Sequence, residues 1–447
     1  AVSGGVLAAA VESGTPGTDG TVEFFNTSDY THIASKTAGD LPDMVTFSPD
    51  GNYVLTANEG EPNDDYTTDP EGSVTIIDIS AGVAGATPVQ VGFTDFNAGG
   101  TREGDLPADV RITGPDASVA QDLESEYIAV SPDSTKAYVS LQENNAMAII
   151  DIATGAVDSI KALGFKDHSQ TDNGLDANKN DDAALIEQLP IYGMYQPDAV
   201  AAFEVDGNTY VISANEGDGR EYEGTPGHID ETDLKDITLD ATVFDAAFIT
   251  RAGDTDDIGD LTITNTLGDT DDDGEYEAIY AYGARSFSIW ASDGTQVYDS
   301  GDHLEQITAA AYPNNFNASN DDNDIDDRSD NKGPEPEAVT TAMINGRTYA
   351  FIGLERMGGV AIYDVTTPAK PLFVQYINNR DFSKDPEDDY PDAGDLGPES
   401  IVIIPASENP SGDDVPLMVV MNEVSGTTTV YELSTLLLNK PVLTDLS

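Results

Sequence analysis

The chain has 447 residues, with 83 Asp+Glu against 19 Lys+Arg, so its formal net charge is −64, and it contains no cysteine. That charge excludes a nucleic-acid binder, whose phosphate contacts require Lys and Arg, and it argues against anionic membrane surfaces. Without thiols there is no disulfide, Cys-ligated zinc, iron–sulfur cluster or thiol nucleophile, so any chemistry falls to carboxylates, the few bases, hydroxyls or a metal.

Apolar residues make up 39% of the chain, enough for a sizeable core. No run of 18 apolar residues occurs, so no membrane insertion is expected. The sequence opens at Ala1 without a basic leader, as a secreted protein does after its signal peptide is removed; a trimmed chain would look the same. So acidic a chain needs screening by salt or divalent cations. The expected setting is therefore secreted, extracellular or periplasmic, with cell-surface attachment open, in a saline, marine or calcium-rich environment.

In chain order, residues 6–38 supply short strands around GTVEFFNTSDY. Residues 41–80 then read LPDMVTFSPDGNYVLTANEG followed by GSVTIIDIS: an acidic residue, an apolar run, a turn, a second apolar run ending in Asn-Glu, and a third strand. The same grammar returns at 124–152, 196–221, 335–365 and 397–433, with a weaker copy at 275–290. Each unit is three or four short strands rich in Val, Ile, Tyr and Thr, parted by Gly, Asn, Asp and Pro. Units of about 40–50 residues with four strands each mark a β-propeller. The expected fold is all-β, a single propeller domain over residues 1–447. Seven blades fall at roughly 6–38, 41–97, 124–163, 196–250, 275–301, 335–376 and 397–434, and six or eight remain open. Inserts at 167–195, 222–260, 314–336 and 379–395 read as acidic loops gathered on one face, with a short helix at 181–189.

The repeat sets carboxylates in register. Asp43, Glu126, Asp198, Glu337 and Glu399 open the first strand of a unit, and Glu59, Glu143, Glu216, Glu355 and Glu423 end the next. The separations are 16, 17, 18, 18 and 24 residues, as one hairpin with a varying turn gives. Arg285 holds the second position in the weak copy. First strands lie nearest a propeller's axis, so both sets are expected at one mouth of the channel. Carboxylates crowded together raise their pKa values or recruit cations. This predicts a divalent or transition-metal site there, with Arg220, Arg285 and Lys332 available to an anionic ligand; the competing expectation is carboxylates that cap backbone N–H groups at strand starts. Separately, residues 269–277 read DTDDDGEYE. Asp269, Asp271, Asp273 and Glu277 with Gly274 suit a structural calcium loop, whose alternative is a solvated acidic turn. His168, in KDHS, is a candidate general acid or base or a surface histidine. Residues 176–182, 254–260 and 321–327 are weaker acidic clusters.

The phrases LPDMVTFSPDG, TANEGEP, LGFKDHS, SANEGDGREY, YGARSFSIW, DNKGPEPEAV and LGPESIVI with NEVSGTTTVYEL resemble the choice-of-anchor I family over about residues 6–433. The resemblance implies a secreted bacterial β-propeller, often joined to a C-terminal anchor. It also implies an alkaline-phosphatase-like description, and kinship with animal mesenchyme-specific cell-surface glycoproteins tied to calcium biomineral. The chain ends at Ser447 without such an anchor and is read as released or truncated. The family phrases place Asn58, Glu59, Lys166, Asp167, His168, Glu216, Asp218, Arg220, Glu221, Arg285, Lys332, Glu335, Glu337, Glu399 and Glu423 in its landmarks. Two functions are expected from this. One is a metal-dependent phosphomonoesterase acting on a small phosphate ester, with His168, Arg220, Arg285 and Lys332 as catalytic groups. Its metal ligands are drawn from Asp43, Glu59, Asp198, Glu216, Asp218, Glu335, Glu337, Glu399 and Glu423. The other is a non-enzymatic calcium-binding protein facing a mineral or matrix surface. Oligomeric state is not legible.

Overall fold

The computed structural model describes residues 1–387 and 392–433. Residues 388–391 of the loop at 379–395, and Ser434 at the end of the last unit, lie outside the described residues. The fold is all-β, of the propeller class expected from the repeat. Among the described residues there are seven sheets of three or more strands, one of them built largely from the inserts. Short strands of Val, Ile, Thr and Tyr alternate side chains across the sheet and turn at glycines held at positive φ.

The chain divides into two compact units, one of residues 1–164, 196–211 and 218–230, the other of residues 165–195, 212–217 and 231–447. In the first, three four-stranded antiparallel meanders follow one another, over residues 2–37, 42–92 and 128–162. One core runs from Leu55, Val74 and Phe93 through Val139, Ile150 and Ile160, and another gathers Val22, Phe24, Val54 and Ile77. In the second, the meander Pro336–Ile344, Arg347–Leu354, Val360–Asp364 and Leu372–Ile377 is followed by a three-stranded sheet, Pro398–Ile404, Leu417–Asn422 and Thr427–Glu432. Phe351, Ile362, Met418 and Val420 lie in their shared core.

The inserts hold more order than acidic loops. Strands Phe165–Asp167, Tyr192–Met194, Tyr280–Ala281, Thr262–Thr264 and Glu231–Asp233 form one five-stranded sheet that contains a parallel pairing. Leu175, Leu189, Ile191, Leu234, Phe244, Phe248, Ile258 and Ile263 build its core. These apolar residues are scattered at irregular spacing among Asp and Asn, which hides their periodicity. The helix expected at 181–189 is absent; that segment is bends and a bridge, Leu175 to Glu187. Asp181 and Asp182 favour turns, and Asp176 and Asp326 accept the backbone N–H groups of Leu185 and Ala183 in place of a helical ladder. The longer helices are Ala246–Ala252 and His303–Ala311. No helix among the described residues is long and apolar enough to cross a membrane.

Candidate functional site

The register carboxylates rest on a recurring backbone device. Leu41, Gln196, Glu335 and Gly397 each adopt positive φ, each is followed by proline, and the next residue is the carboxylate: Asp43, Asp198, Glu337 or Glu399. Three of the first strands carry a register shift at this point, Pro42/Val45, Pro336/Val339 and Pro398/Ser400. Proline fits because a strand's first residue can forgo its ladder N–H. The N–H groups of Glu59, Glu355 and Glu423 donate to the carbonyls of Leu41, Glu335 and Gly397, at 3.0, 2.7 and 2.8 Å. The second carboxylate of each pair is thereby tied beside the first.

The asparagine before that glutamate is structural. Asn58, fully buried, donates to Ser73 O, Ser73 Oγ and Thr75 Oγ1 and accepts from Thr56 Oγ1. Asn215 repeats this with Ser286, Ser288 and Ser213. Asn422 donates to Thr427. The Asn-Glu landmark is thus a strand-bridging amide with a carboxylate beside it.

In the first unit, Asp43, Glu59 and Glu126 each offer one oxygen, all within 4.8 Å of one another. Glu59 is pushed up to about 9 by burial and then by Glu61, Asp43, Glu143 and Asp198. Glu126 is raised well above the carboxylate range by burial, with Glu59, Asp198, Glu143 and Asp43 adding to it. Every leading influence on these two groups disfavours charge. Asp218 is exposed and adds to the upward push on Glu61.

In the second unit, Glu216, Glu335 and Glu355 also converge within 4.8 Å. Here a lysine already supplies positive charge: Lys332 Nζ lies 2.7 Å from Glu216, 2.6 Å from the Gly217 carbonyl and 3.5 Å from Glu335. Arg328 and Arg356 also bind Glu335, at 2.7 and 3.0 Å. Burial works upward on Glu335, yet Lys332, Arg328 and Arg356 outweigh it and hold the carboxyl at about 2. Burial followed by Glu335 and Glu216 pushes Glu355 up to about 8. Of the remaining register residues, Glu337 is half-buried, while Glu399 and Glu423 are exposed and join none of the converging carboxylate groups found among the described residues.

The other candidate bases are committed elsewhere. Arg220, 2% exposed, pairs with Asp122 and Glu124, each at 3.1 Å, and donates to Thr113 Oγ1 and the Asp122 carbonyl. Arg285 pairs with Glu305 at 2.7 Å and donates to the carbonyls of Asp176, Ser329 and Asn331. His168 is buried, with Nδ1 2.7 Å from the Asn173 carbonyl, and burial with Lys166 and Arg285 nearby drives it down to about 3. It is a neutral imidazole inside the protein, neither a surface histidine nor a group that titrates near neutrality.

The loop at 269–277 brings Asp269, Asp271 and Asp273 within 4.8 Å, with Asp271 and Asp273 exposed. Asp269 accepts from the N–H groups of Asp273 and Gly274, and Glu277 folds back to accept from Thr270 N and Oγ1. Gly274, at φ +89°, makes the sharp turn. Asp321, Asp322 and Asp327 form a fourth such group. Glu126, Glu143 and Glu355 stood in the register sets but were not counted among the expected metal ligands. The residues missed in reading the sequence for a site are Glu61, Arg328 and Arg356, none of which falls on a register position.

A family model described as the choice-of-anchor I domain matches residues 1–368. The chain belongs to that family. This choice-of-anchor I domain is 31% identical over 186 residues to Gigasin-3a of Magallana gigas, across 39% of this chain and 64% of that protein. It is 27% identical over 223 residues to a mesenchyme-specific cell surface glycoprotein of Strongylocentrotus purpuratus, across 43% of this chain and 28% of the relative. The matched parts thus span less than two thirds of either relative's length. Among solved structures, the domain is similar to the periplasmic gluconolactonase PpgL of Pseudomonas aeruginosa, with a TM-score of 0.33 and 10% identity over 96% of this chain and 91% of that one. It is similar also to the hydrazine synthase of Kuenenia stuttgartiensis, with a TM-score of 0.33 and 14% identity over 95% of each chain. Likenesses at that level assign no activity.

Proposed function

We propose that this choice-of-anchor I domain is a non-catalytic calcium-binding protein of the extracellular space or cell surface, whose acidic loops face a mineral, matrix or protein partner. One observation carries this reading: three of the four bases expected for phosphate chemistry, Arg220, Arg285 and His168, are buried and bonded inward, whereas carboxylates of the Asp269–Asp273 group stand exposed and convergent. An oxygen-only ligand set of this kind suits a hard cation. The cell-surface glycoprotein among its relatives supports the location.

A metal-dependent phosphomonoesterase, the activity that the sequence resemblance implies, is the second reading. Its structural support is Lys332, only partly buried beside Glu216 and Glu335, where cation and carboxylates meet as they do at phosphoryl sites. Against it, Arg220, Arg285 and His168 cannot leave their partners without exposing buried charge or polar groups.

The deciding experiment is hydrolysis of a chromogenic phosphomonoester by metal-stripped protein reloaded in turn with Ca²⁺, Mg²⁺, Mn²⁺, Zn²⁺ and Fe, alongside melting with and without Ca²⁺. The expected outcome is no turnover with any metal and a calcium-dependent rise in melting temperature that is reduced in D271N/D273N. Metal-restored turnover that disappears in Lys332→Ala would establish the enzyme instead.

A further inference from the structure

The two groups of convergent carboxylates, both drawn largely from the repeat, have opposite electrostatics. In the second unit, Lys332, Arg328 and Arg356 meet Glu216, Glu335 and Glu355, so positive charge is built into the chain. In the first unit, Asp43, Glu59 and Glu126 converge just as closely, and the strongest influences on Glu59 and Glu126 after burial are all carboxylates. Arg220 lies in the same unit, but it is occupied by Asp122 and Glu124.

An independent observation comes from Glu143. It is 7% exposed and its Oε2 has no hydrogen-bond partner. It acts on both Glu59 and Glu126, and burial raises its own carboxyl although Arg220 and Arg111 work against that. A buried acceptor without a donor costs about 1–3 kcal/mol, more when charged, and it adds a fourth carboxylate where three already repel. Ser125 Oγ, fully buried between Glu124 and Glu126 in sequence, is likewise unpartnered. A cation resolves both problems together, since it supplies the missing charge and takes up oxygen lone pairs that no N–H reaches.

We propose that the first unit holds a resident divalent-cation site, with Asp43, Glu59 and Glu126 as ligands and Glu143 as a further carboxylate within electrostatic range, and that it takes Ca²⁺. The donors are oxygens alone, which excludes the softer metals that select His or Cys. They come from separate strand ends, and Asp43 is exposed, leaving positions for water. Such an adaptable oxygen set favours calcium over magnesium, which demands near-ideal octahedral geometry. This site goes beyond the surface-loop reading. The loop at 269–277 belongs to the second unit, and either site can fail without the other.

The test uses the whole chain, stripped with chelator, reloaded with Ca²⁺ and passed through gel filtration at physiological salt, with retained calcium counted by atomic emission. Wild type is expected to keep one more calcium per chain than E59Q/E126Q, while D271N/D273N keeps the inner ion. The exposed position gives a milder check, with Asp43→Asn weakening calcium binding by about tenfold or more. Melting supplies a signed readout. In chelator, E59Q/E126Q should melt at or above wild type, because neutral amides relieve the repulsion; in Ca²⁺ it should melt below. Equal calcium in wild type and E59Q/E126Q, or an E59Q/E126Q variant that melts below wild type even in chelator, would overturn the proposal.

Discussion

Replacing Asn58 with alanine separates the architectural half of the Asn-Glu landmark from its charged half. Asn58 Nδ2 donates to Ser73 O, Ser73 Oγ and Thr75 Oγ1 at 3.2, 3.1 and 3.0 Å, and Oδ1 accepts from Thr56 Oγ1 at 2.9 Å. The hydroxyls of Ser73 and Thr75 retain Gln90 as an acceptor after the change. Thr56, fully buried, loses the partner of its hydroxyl. One orphaned buried donor costs about 1–3 kcal/mol and each lost bond about 1 kcal/mol, so N58A should cost about 3 kcal/mol. The first unit has about 190 residues, for which each kcal/mol is about 2–4 °C, giving a drop of about 6–12 °C. Scanning calorimetry measures it, and amide exchange in Tyr53–Asn58 localises it. Asn58→Asp keeps the shape but removes the donors and buries an anion next to Glu59, so it should cost at least as much. A drop of under about 2 °C for N58A, or wild-type stability for N58D, would refute the bridging role.

Three further outcomes follow from the same geometry. Gly217 at φ +93° would place a Cβ 2.0 Å from Gly283 N, whereas Gly274 at φ +89° has nothing within 4 Å; G217A should therefore fail to accumulate or melt far below G274A, whose cost should be about 1 kcal/mol. His168 should show no imidazole titration by NMR between pH 5 and 8, given its descent to about 3; a midpoint near 6.5 would contradict the buried neutral ring. Asp176 is pushed up to about 7, first by burial and then by Glu305, from an unfolded value near 3.8. Its contribution is therefore fully present below about pH 4 and lost as pH rises through 7, by at most about 4 kcal/mol. Against wild type, Asp176→Asn should gain relative stability between pH 5 and pH 8 in urea titrations; an unchanged difference would sink the assignment.

The blades were legible because two periodicities coincide in them, alternation within a strand and the spacing of Asn-Glu and Pro-Asp/Glu between units. That same spacing made the carboxylates legible as a set. It could not show which of them meet a cation. Lys332 and Arg328 reach Glu335 from an acidic insert with no periodic signature, and Arg356 reaches it from the turn after the strand Arg347–Leu354. Arg220 and Arg285 stood out as rare cations in acidic phrases, and a buried counter-ion and a ligand-binding arginine leave the same mark in a sequence. The core of the inserts escaped because Leu175, Leu234, Phe244 and Ile258 pack together from far apart along the chain.

The residue of positive φ, its proline and the bridging asparagine fix the backbone of each landmark without using the carboxylate beside them. Position and chemistry are thereby inherited separately. A mutation at the acidic position alters the charge displayed at a fixed point in space while the scaffold that sets the point is untouched. Within one chain this has already yielded a carboxylate trio met by lysine and arginine, and another whose leading charged neighbours are carboxylates. A repeat built this way can drift from one ligand to another by single substitutions, each tolerated by the fold.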